Sequence, residues 1–356
     1  MILNTLKLKS LKAKRCQKIL IWLCLAGILV FGLLFGLSAS DSQAKPSGEK
    51  GHVESVFITV NGHKRAAVVY VPSEIEKKSA EAATSDKRYP LLLAYHGYLG
   101  SARQMMRMSG FNPIAENDGF LVAYPNALHR KWLASTGSSE FPNDDVNFSQ
   151  ALIKKLAQTY PIDPSRIYAT GFSSGGFFTE RLACELSAIK LSENGDTTAI
   201  AAIAPVAATI GKPLSKNCKL KRPVSVLMLN GTDDPIVTWN GKIRKVHYAF
   251  HDAEIATVPE TAVFWQRANL CSPTPRKRRF PLILTWNDQI AAHYFPACRG
   301  GVTVEQWILE GGGHTWPGAL PRYKISRRIF GKTLEQPKAS EVIWNFLQKR
   351  RLAPAY

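Results

Sequence analysis

Residues 167–178 read IYATGFSSGGFF. A short apolar run ends, a Gly-x-Ser-x-Gly pattern spans Gly171 to Gly175, and small residues lead into a segment that reads as a helix. Ser173 is then either a nucleophile on a sharp strand-to-helix turn or a structural serine in a glycine-rich connection. The pattern occurs by chance in many chains, so the surrounding sequence has to decide.

Outward from this stretch, strand patterns alternate with helical ones. YPLLLAYHG (89–97) is a continuous apolar run, as expected of a strand buried on both faces, and FLVAYP (120–125) is another. The segment between them, residues 101–119, predicts a helix. DDVNFSQALIKKLAQTY (144–160) carries Val146, Phe148, Leu152, Ile153 and Leu156 at helical spacing, with Asp144 and Asp145 at the end where the helix dipole favours anions. TAIAAIAPVA (198–207), VSVLMLNG (224–231) and the strand within 302–314 continue the alternation, with helices predicted over 258–271 and 338–350. Ahead of all of these, VESVFITV and KRAAVVYV flank Asn61-Gly62, the strongest short hairpin signal. The order predicts one α/β domain over residues 53–356: a mostly parallel central sheet flanked by helices, preceded by an antiparallel hairpin.

Three more segments with chemical potential each fall just after a strand, where open α/β sheets place their sites. HGYLG (96–100) follows the LLLAY strand. A tetrahedral intermediate needs two backbone N–H donors for its oxyanion; Ser174, after the nucleophile, is expected to supply one and Tyr98 the other. His96 reads as structural, because it precedes the serine. LNGTDDPIV (229–237) offers an acid to orient a base; Asp233 and Asp234 compete, a turn role being open to either, and Asp234 before Pro235 is the choice. EGGGHTWPG (310–318) offers His314 behind three glycines. Ser173, Asp234 and His314 then stand in the chain order of a hydrolase triad. Trp239 and Trp316, beside the acid and the base, are candidates for walls of an acyl or aryl pocket or for core packing.

The first residues do not belong to the predicted domain. Lys7, Lys9, Lys12, Lys14, Arg15 and Lys18 precede an uncharged run over 19–39, and small residues follow. That order is a secretory leader. The run nearly reaches the roughly 20 residues that span a bilayer, so residues 1–44 read as a cleaved signal or an uncleaved anchor, and 45–52 as a linker. Either reading sends the remainder out of the cytoplasm. Six cysteines include Cys16 and Cys24 in the leader. The other four allow three connectivities, of which Cys184–Cys218 and Cys271–Cys298, neighbours in sequence, are favoured. No C-x-x-C occurs, which argues against a structural zinc. The formal charge of +19 comes partly from the leader, from PRKRRF (275–280) and from residues 321–332. Basic runs usually form solvated surface; attraction to anionic envelope material is the alternative, and no nucleic-acid motif is present.

LLLAYHGYLGSARQM, NDGFLVAYPNA, NDDVNF, IDPSRIYATGFSSGG, LNGTDDPIV and EGGGHTWPG together resemble the poly(3-hydroxybutyrate) depolymerase-like esterases, a group that overlaps the feruloyl and acetylxylan esterases of the α/β-hydrolase superfamily. The resemblance implies the α/β-hydrolase fold, a triad of Ser173, Asp234 and His314, no metal or organic cofactor, and two disulfides in these cysteine neighbourhoods. Ser174 and Asn230 depart from the commoner family residues, and residues 276–288 look like an insertion peculiar to this chain. The expected activity is hydrolysis of carboxylic esters by an exported serine enzyme. Soluble hydroxyalkanoate oligomers or feruloyl- and acetyl-type carbohydrate esters are the expected substrates, rather than crystalline polymer. A serine peptidase, an inactive envelope-binding module and an acyltransferase are the rivals.

Overall fold

A computed structural model describes residues 51–75, 87–133, 144–187, 198–243, 254–274, 276–278, 290–319 and 324–354. All belong to one compact unit, Gly48–Tyr356. The expected leader at 1–44, including the apolar run 19–39, lies outside the described residues. Among those described, no helix is long and apolar enough to cross a membrane.

The chain enters through β1 (His52–Val60) and β2 (His63–Val71). Asn61 and Gly62 between them both take positive φ, 48° and 80°, the conformation that a two-residue hairpin turn of the right twist demands. Pairing runs antiparallel from Val60–His63 to His52–Val71. The linker expectation ran one strand residue too far: His52 already belongs to β1, and Gly51 before it is packed so closely that a Cβ would meet the Val71 carbonyl and the Tyr70 hydroxyl.

β3 (Tyr89–Tyr95) is buried at every position. Leu91, Leu93 and Tyr95 enter one apolar layer, and Leu92 and Ala94 enter the other. Strand geometry forces this alternation, and each fully buried leucine contributes about 1.5–3 kcal/mol. The first layer is completed by α3 (Asp144–Thr159), α4 (Ser174–Leu186) and α6 (Val258–Ala268), through Phe148, Leu152, Phe178, Leu182 and Trp265. The second is completed by α1 (Ala102–Ser109), α2 (Phe111–Asp118) and α8 (Ala339–Leu347), through Met105, Phe111, Ile343 and Trp344.

The single helix predicted over 101–119 is two. Gly110, at φ 62°, caps α1 and turns the chain into α2, a break that apolar periodicity alone does not show. The remaining elements are β4 (Leu121–Pro125), β5 (Ile162–Phe172), β6 (Ala202–Val206), α5 (Lys212–Asn217), β7 (Ser225–Gly231), β8 (Arg276–Arg278), β9 (Ile290–Phe295), β10 (Val304–Leu309) and α7 (Lys324–Phe330).

Among the described residues the ten strands form one sheet in the order β1-β2-β4-β3-β5-β6-β7-β10-β9-β8. The six from β4 to β10 run parallel, and both edges are antiparallel. The sequence reading saw neither β8 nor β9. Arg276–Arg278, placed there in an insertion, pairs with β9 and extends the sheet; residues 279–289 lie outside the described residues.

Asp145 does open α3, but its carboxylate does more than face the dipole. One oxygen lies 2.5 Å from a nitrogen of Arg65 on β2, with both side chains almost wholly buried, and the other accepts the Leu133 N–H at 2.8 Å. Two disulfides close the described chain. Cys184–Cys218 ties the end of α4 to the residue after α5, and Cys271–Cys298 ties the segment after α6 to the segment after β9.

Candidate active site

The turn at residues 171–175 carries out what the Gly-x-Ser-x-Gly pattern permits. β5 ends at Phe172, α4 begins at Ser174, and Ser173 between them is held at φ 53°, ψ −119°. A non-glycine residue there stores about 1–3 kcal/mol of strain, which the surroundings must hold in place. Two main-chain hydrogen bonds do so. The Ser173 N–H donates to the Val206 carbonyl at 2.9 Å, and its carbonyl accepts the Phe177 N–H at 3.0 Å. The flanking glycines are sterically obligatory. A Cβ on Gly171 would sit 2.3 Å from the Gly175 carbonyl carbon, and one on Gly175 would sit 2.3 Å from the Tyr95 carbonyl oxygen.

The acid and base arrive from neighbouring parallel strands. β7 and β10 are in register up to Leu309–Gly231, and the loops beyond them are laced together. Thr232 N–H donates to the Leu309 carbonyl at 3.0 Å, Asp233 N–H to the Gly312 carbonyl at 3.0 Å, and Gly311 N–H to the Thr232 hydroxyl at 2.8 Å. This lacing turns Asp233 outward and Asp234 inward. Asp234 Oδ1 accepts the N–H groups of Ile236 and Val237, both at 2.8 Å. Its Oδ2 lies 2.8 Å from His314 Nδ1, and His314 Nε2 lies 2.8 Å from Ser173 Oγ. The carboxylate can only accept, so Nδ1 carries the proton and Nε2 is left to accept from the serine hydroxyl. Ser173, Asp234 and His314 are 6%, 5% and 4% exposed, which keeps the hydrogen-bonded run largely out of water.

Two aromatic rings flank the imidazole: Phe172 at 5.0 Å between centroids and Phe330 at 6.4 Å. Phe330 ends α7, and its carbonyl accepts the His314 N–H at 2.5 Å. Neither ring was singled out from sequence. Phe172 carried a signal, lying inside the quoted pattern one residue before the serine. Phe330 carried none, since it sits in a stretch that reads as basic surface.

The HGYLG loop follows β3 beside the elbow, and Phe172 packs where a Cβ on Gly97 would be. Leu99 and Gly100 commit their amides to the Arg130 and Gly97 carbonyls at 2.9 Å each, which removes both as oxyanion donors. His96 is structural. Its Nε2 accepts the Ala127 N–H at 3.1 Å, its Nδ1 lies 2.7 Å from the Gly97 carbonyl, and burial pushes its pKa down to about 4.

Trp316 belongs to the core. It is 2% exposed, donates its indole N–H to the Ser340 hydroxyl at 3.1 Å, and meets Phe111 edge-on. Trp239 is half-buried in a turn, where its carbonyl accepts the Val258 N–H. A cleft of about 390 Å³ between β10 and α8, lined by Trp307 and Phe346 among others, includes none of the three site residues. Among the described residues no three His, Cys, Asp or Glu side chains are grouped to hold a metal ion.

No protein-family model matches the chain. It is 31% identical over 239 residues to feruloyl esterase B of Piromyces equi, a match that covers 65% of this chain and 40% of that protein. It is 28% identical over 267 residues to the putative esterase NocK of Nocardia uniformis subsp. tsuyamanensis, covering 72% of this chain and 74% of that one. The chain therefore spans less than half of the first relative and about three quarters of the second. Among solved structures, the acetyl xylan esterase from Aspergillus awamori superposes with a TM-score of 0.51 at 14% identity, over 74% of this chain and 94% of that chain, a likeness of fold. With its elbow and its parallel strand order the chain has the α/β-hydrolase fold, and its sequence is similar to a feruloyl esterase and to a putative esterase.

Proposed function

We propose that the protein is an exported serine hydrolase of carboxylic esters, acting through an acyl-enzyme formed on Ser173. The observation that carries this reading is the continuous run Ser173 Oγ–His314–Asp234, with both links at 2.8 Å. A serine hydroxyl is a poor nucleophile unless a base takes its proton as it attacks. His314 Nε2 is placed to do that, while Asp234 holds the ring in the required tautomer and stabilises the imidazolium that forms.

The steps follow from this geometry. Ser173 Oγ adds to the ester carbonyl as its proton passes to His314. The carbonyl oxygen becomes an oxyanion, received by the Tyr98 and Ser174 N–H groups. His314 returns the proton to the leaving alcohol as the carbon–oxygen bond breaks. Water then adds to the acyl carbon and loses a proton to His314, which passes it to Ser173 Oγ as the acyl–oxygen bond breaks and the acid leaves. Each oxyanion donor of this kind is worth about 2.7–4 kcal/mol in the transition state.

The names of the relatives support feruloyl- or acetyl-type carbohydrate esters as substrates, with hydroxyalkanoate oligomers next. Two disulfides suit an oxidising compartment and support export. The test is a panel of methyl ferulate, acetylated xylan, 3-hydroxybutyrate oligomers, p-nitrophenyl acetate and a peptide p-nitroanilide, run beside Ser173→Ala. Turnover of an ester that the variant loses is the expected result. Cleavage of the anilide alone would replace the reading with a peptidase. A folded wild type that neither turns over any ester nor takes up a fluorophosphonate at Ser173 would leave a binding module.

A further inference from the structure

We propose that the site at Ser173 takes an ester carried on an acidic, uronate-bearing glycan, gripped by cations from both of its sides. This rests on the ester-hydrolase reading and names the substrate class for the same site.

On one side stands the turn Leu128–Arg130 with Lys131. The Arg130 carbonyl accepts the Leu99 N–H at 2.9 Å, and its Nε donates to the Gly100 carbonyl at 3.1 Å, so it is fastened to the loop that presents Tyr98. His129 and Arg130 both take positive φ, 50° and 58°, unusual for two successive non-glycine residues and a mark of functional loops. On the other side stand Arg327 and Arg328 of α7, and Lys332. The Phe330 carbonyl holds the His314 N–H, the Lys332 carbonyl holds the Gly313 N–H at 2.8 Å, and Arg327 lies one helical turn before Phe330. All five cations are exposed, and none forms an ion pair among the described residues. Among the described residues the exposed acids nearby are fewer: Asp233 of the acid loop, Glu310 of the base loop, and Glu335 beyond α7.

The strand order says what such a rim fits. β5 carries the serine, β3 leads into the loop fastened to Arg130, and β10 leads into the loop fastened to α7. β3 and β10 lie on opposite sides of β5, four strand spacings apart, about 19 Å. A ligand that meets both groups while one of its esters lies at Ser173 is an extended polyanion rather than a single small acid. Guanidinium groups suit its carboxylates, because their planar fork donates to both oxygens. A site edged by an excess of positive charge also concentrates such a ligand before it binds.

The test compares acetylated polygalacturonate with acetylated neutral xylan of equal acetyl content, using the full chain, with p-nitrophenyl acetate as reference. Salt is set at about 10 mM and then about 500 mM, which shortens the screening length from about 30 Å to below 8 Å. The expected result is a kcat/KM about tenfold higher on the acidic polymer at low salt, falling toward parity at high salt. In R327Q/R328Q the acidic-to-neutral ratio should shrink about threefold or more, since each lost charge weakens the field at the site. A ratio near one at low salt, or a preference that ignores salt, overturns the proposal on wild type alone. So does tighter cosedimentation with phosphatidylglycerol vesicles than retention on polygalacturonate. Failure to hydrolyse p-nitrophenyl acetate and every other ester of the panel overturns the underlying ester reading as well, which separates the two failures.

Discussion

His314 Nε2 lies 2.8 Å from Ser173 Oγ, although 141 positions of sequence separate the two residues. The contact exists because β5 and β10 end at the same edge of the sheet, with only β6 and β7 between them. Its direction is set by Asp234, which anchors the far nitrogen while two backbone amides anchor its other oxygen.

Asp234→Asn tests that direction. An asparagine can keep its oxygen toward the Ile236 and Val237 amides, which turns an N–H₂ donor toward His314 Nδ1. The imidazole then answers with its other tautomer and offers Ser173 a proton instead of taking one. Ester turnover should fall about 10⁴-fold with little change in thermal stability. Retention of a tenth of wild-type kcat would show that Asp234 does not orient the base.

Gly175→Ala tests the elbow. The added Cβ would meet the carbonyl oxygens of Tyr95 and His96 at 2.3 and 2.6 Å, backbone that moves only if β3 moves. A loss of about 3 kcal/mol or more is expected, read as a lower melting temperature together with lost activity. Gly62→Ala is the control. It has positive φ but open space around it, so it should cost about 1–2 kcal/mol and leave turnover intact.

Opening the Cys184–Cys218 bridge with paired serines should destabilise the protein by roughly 3–4 kcal/mol, the loop entropy expected for a separation of 34 residues. Denaturant unfolding of the oxidised protein, the reduced protein and the variant measures it. Coincident curves would show that the bridge contributes nothing at equilibrium.

Glu180 gives stability an alkaline limit. It lies on α4, wholly buried, and the Trp265 indole N–H faces it without completing a hydrogen bond to either carboxyl oxygen. Burial raises its pKa from 4.5 to about 8. The native state therefore holds a proton that the unfolded chain has lost, and stability declines as pH rises from about 4.5 through about 8. Glu180→Gln removes that proton exchange. Its melting temperature should exceed wild type by an amount that grows from about pH 5 to about pH 9, reflecting a difference on the order of a few kcal/mol. Parallel melting curves across that range would refute it.

Much of the site was legible because its requirements are local. A nucleophile elbow needs small residues at fixed offsets from its serine, and a base loop that packs against a neighbouring strand end needs glycine; both leave marks that survive without coordinates. The choice between Asp233 and Asp234 was harder to read. The two are adjacent and chemically alike, and only the hydrogen bonds between the acid and base loops turn one outward and the other inward. Trp316 shows the same limit, since residues beside a histidine in sequence need not share its cavity.

By itself the sequence determined the alternating α/β order, the Asn61-Gly62 hairpin and the pool from which the reactive side chains come, because periodicity and turn chemistry are properties of neighbouring residues. Tertiary structure alone decided that α1 and α2 part at Gly110, that β8 and β9 extend the sheet, that Phe172 and Phe330 flank the imidazole, and that Glu180 is buried without a hydrogen-bond partner. Those outcomes depend on which strand edges and which faces meet in space. Contacts between segments more than a hundred residues apart are set by the packing of the whole sheet, and no short window of sequence contains it.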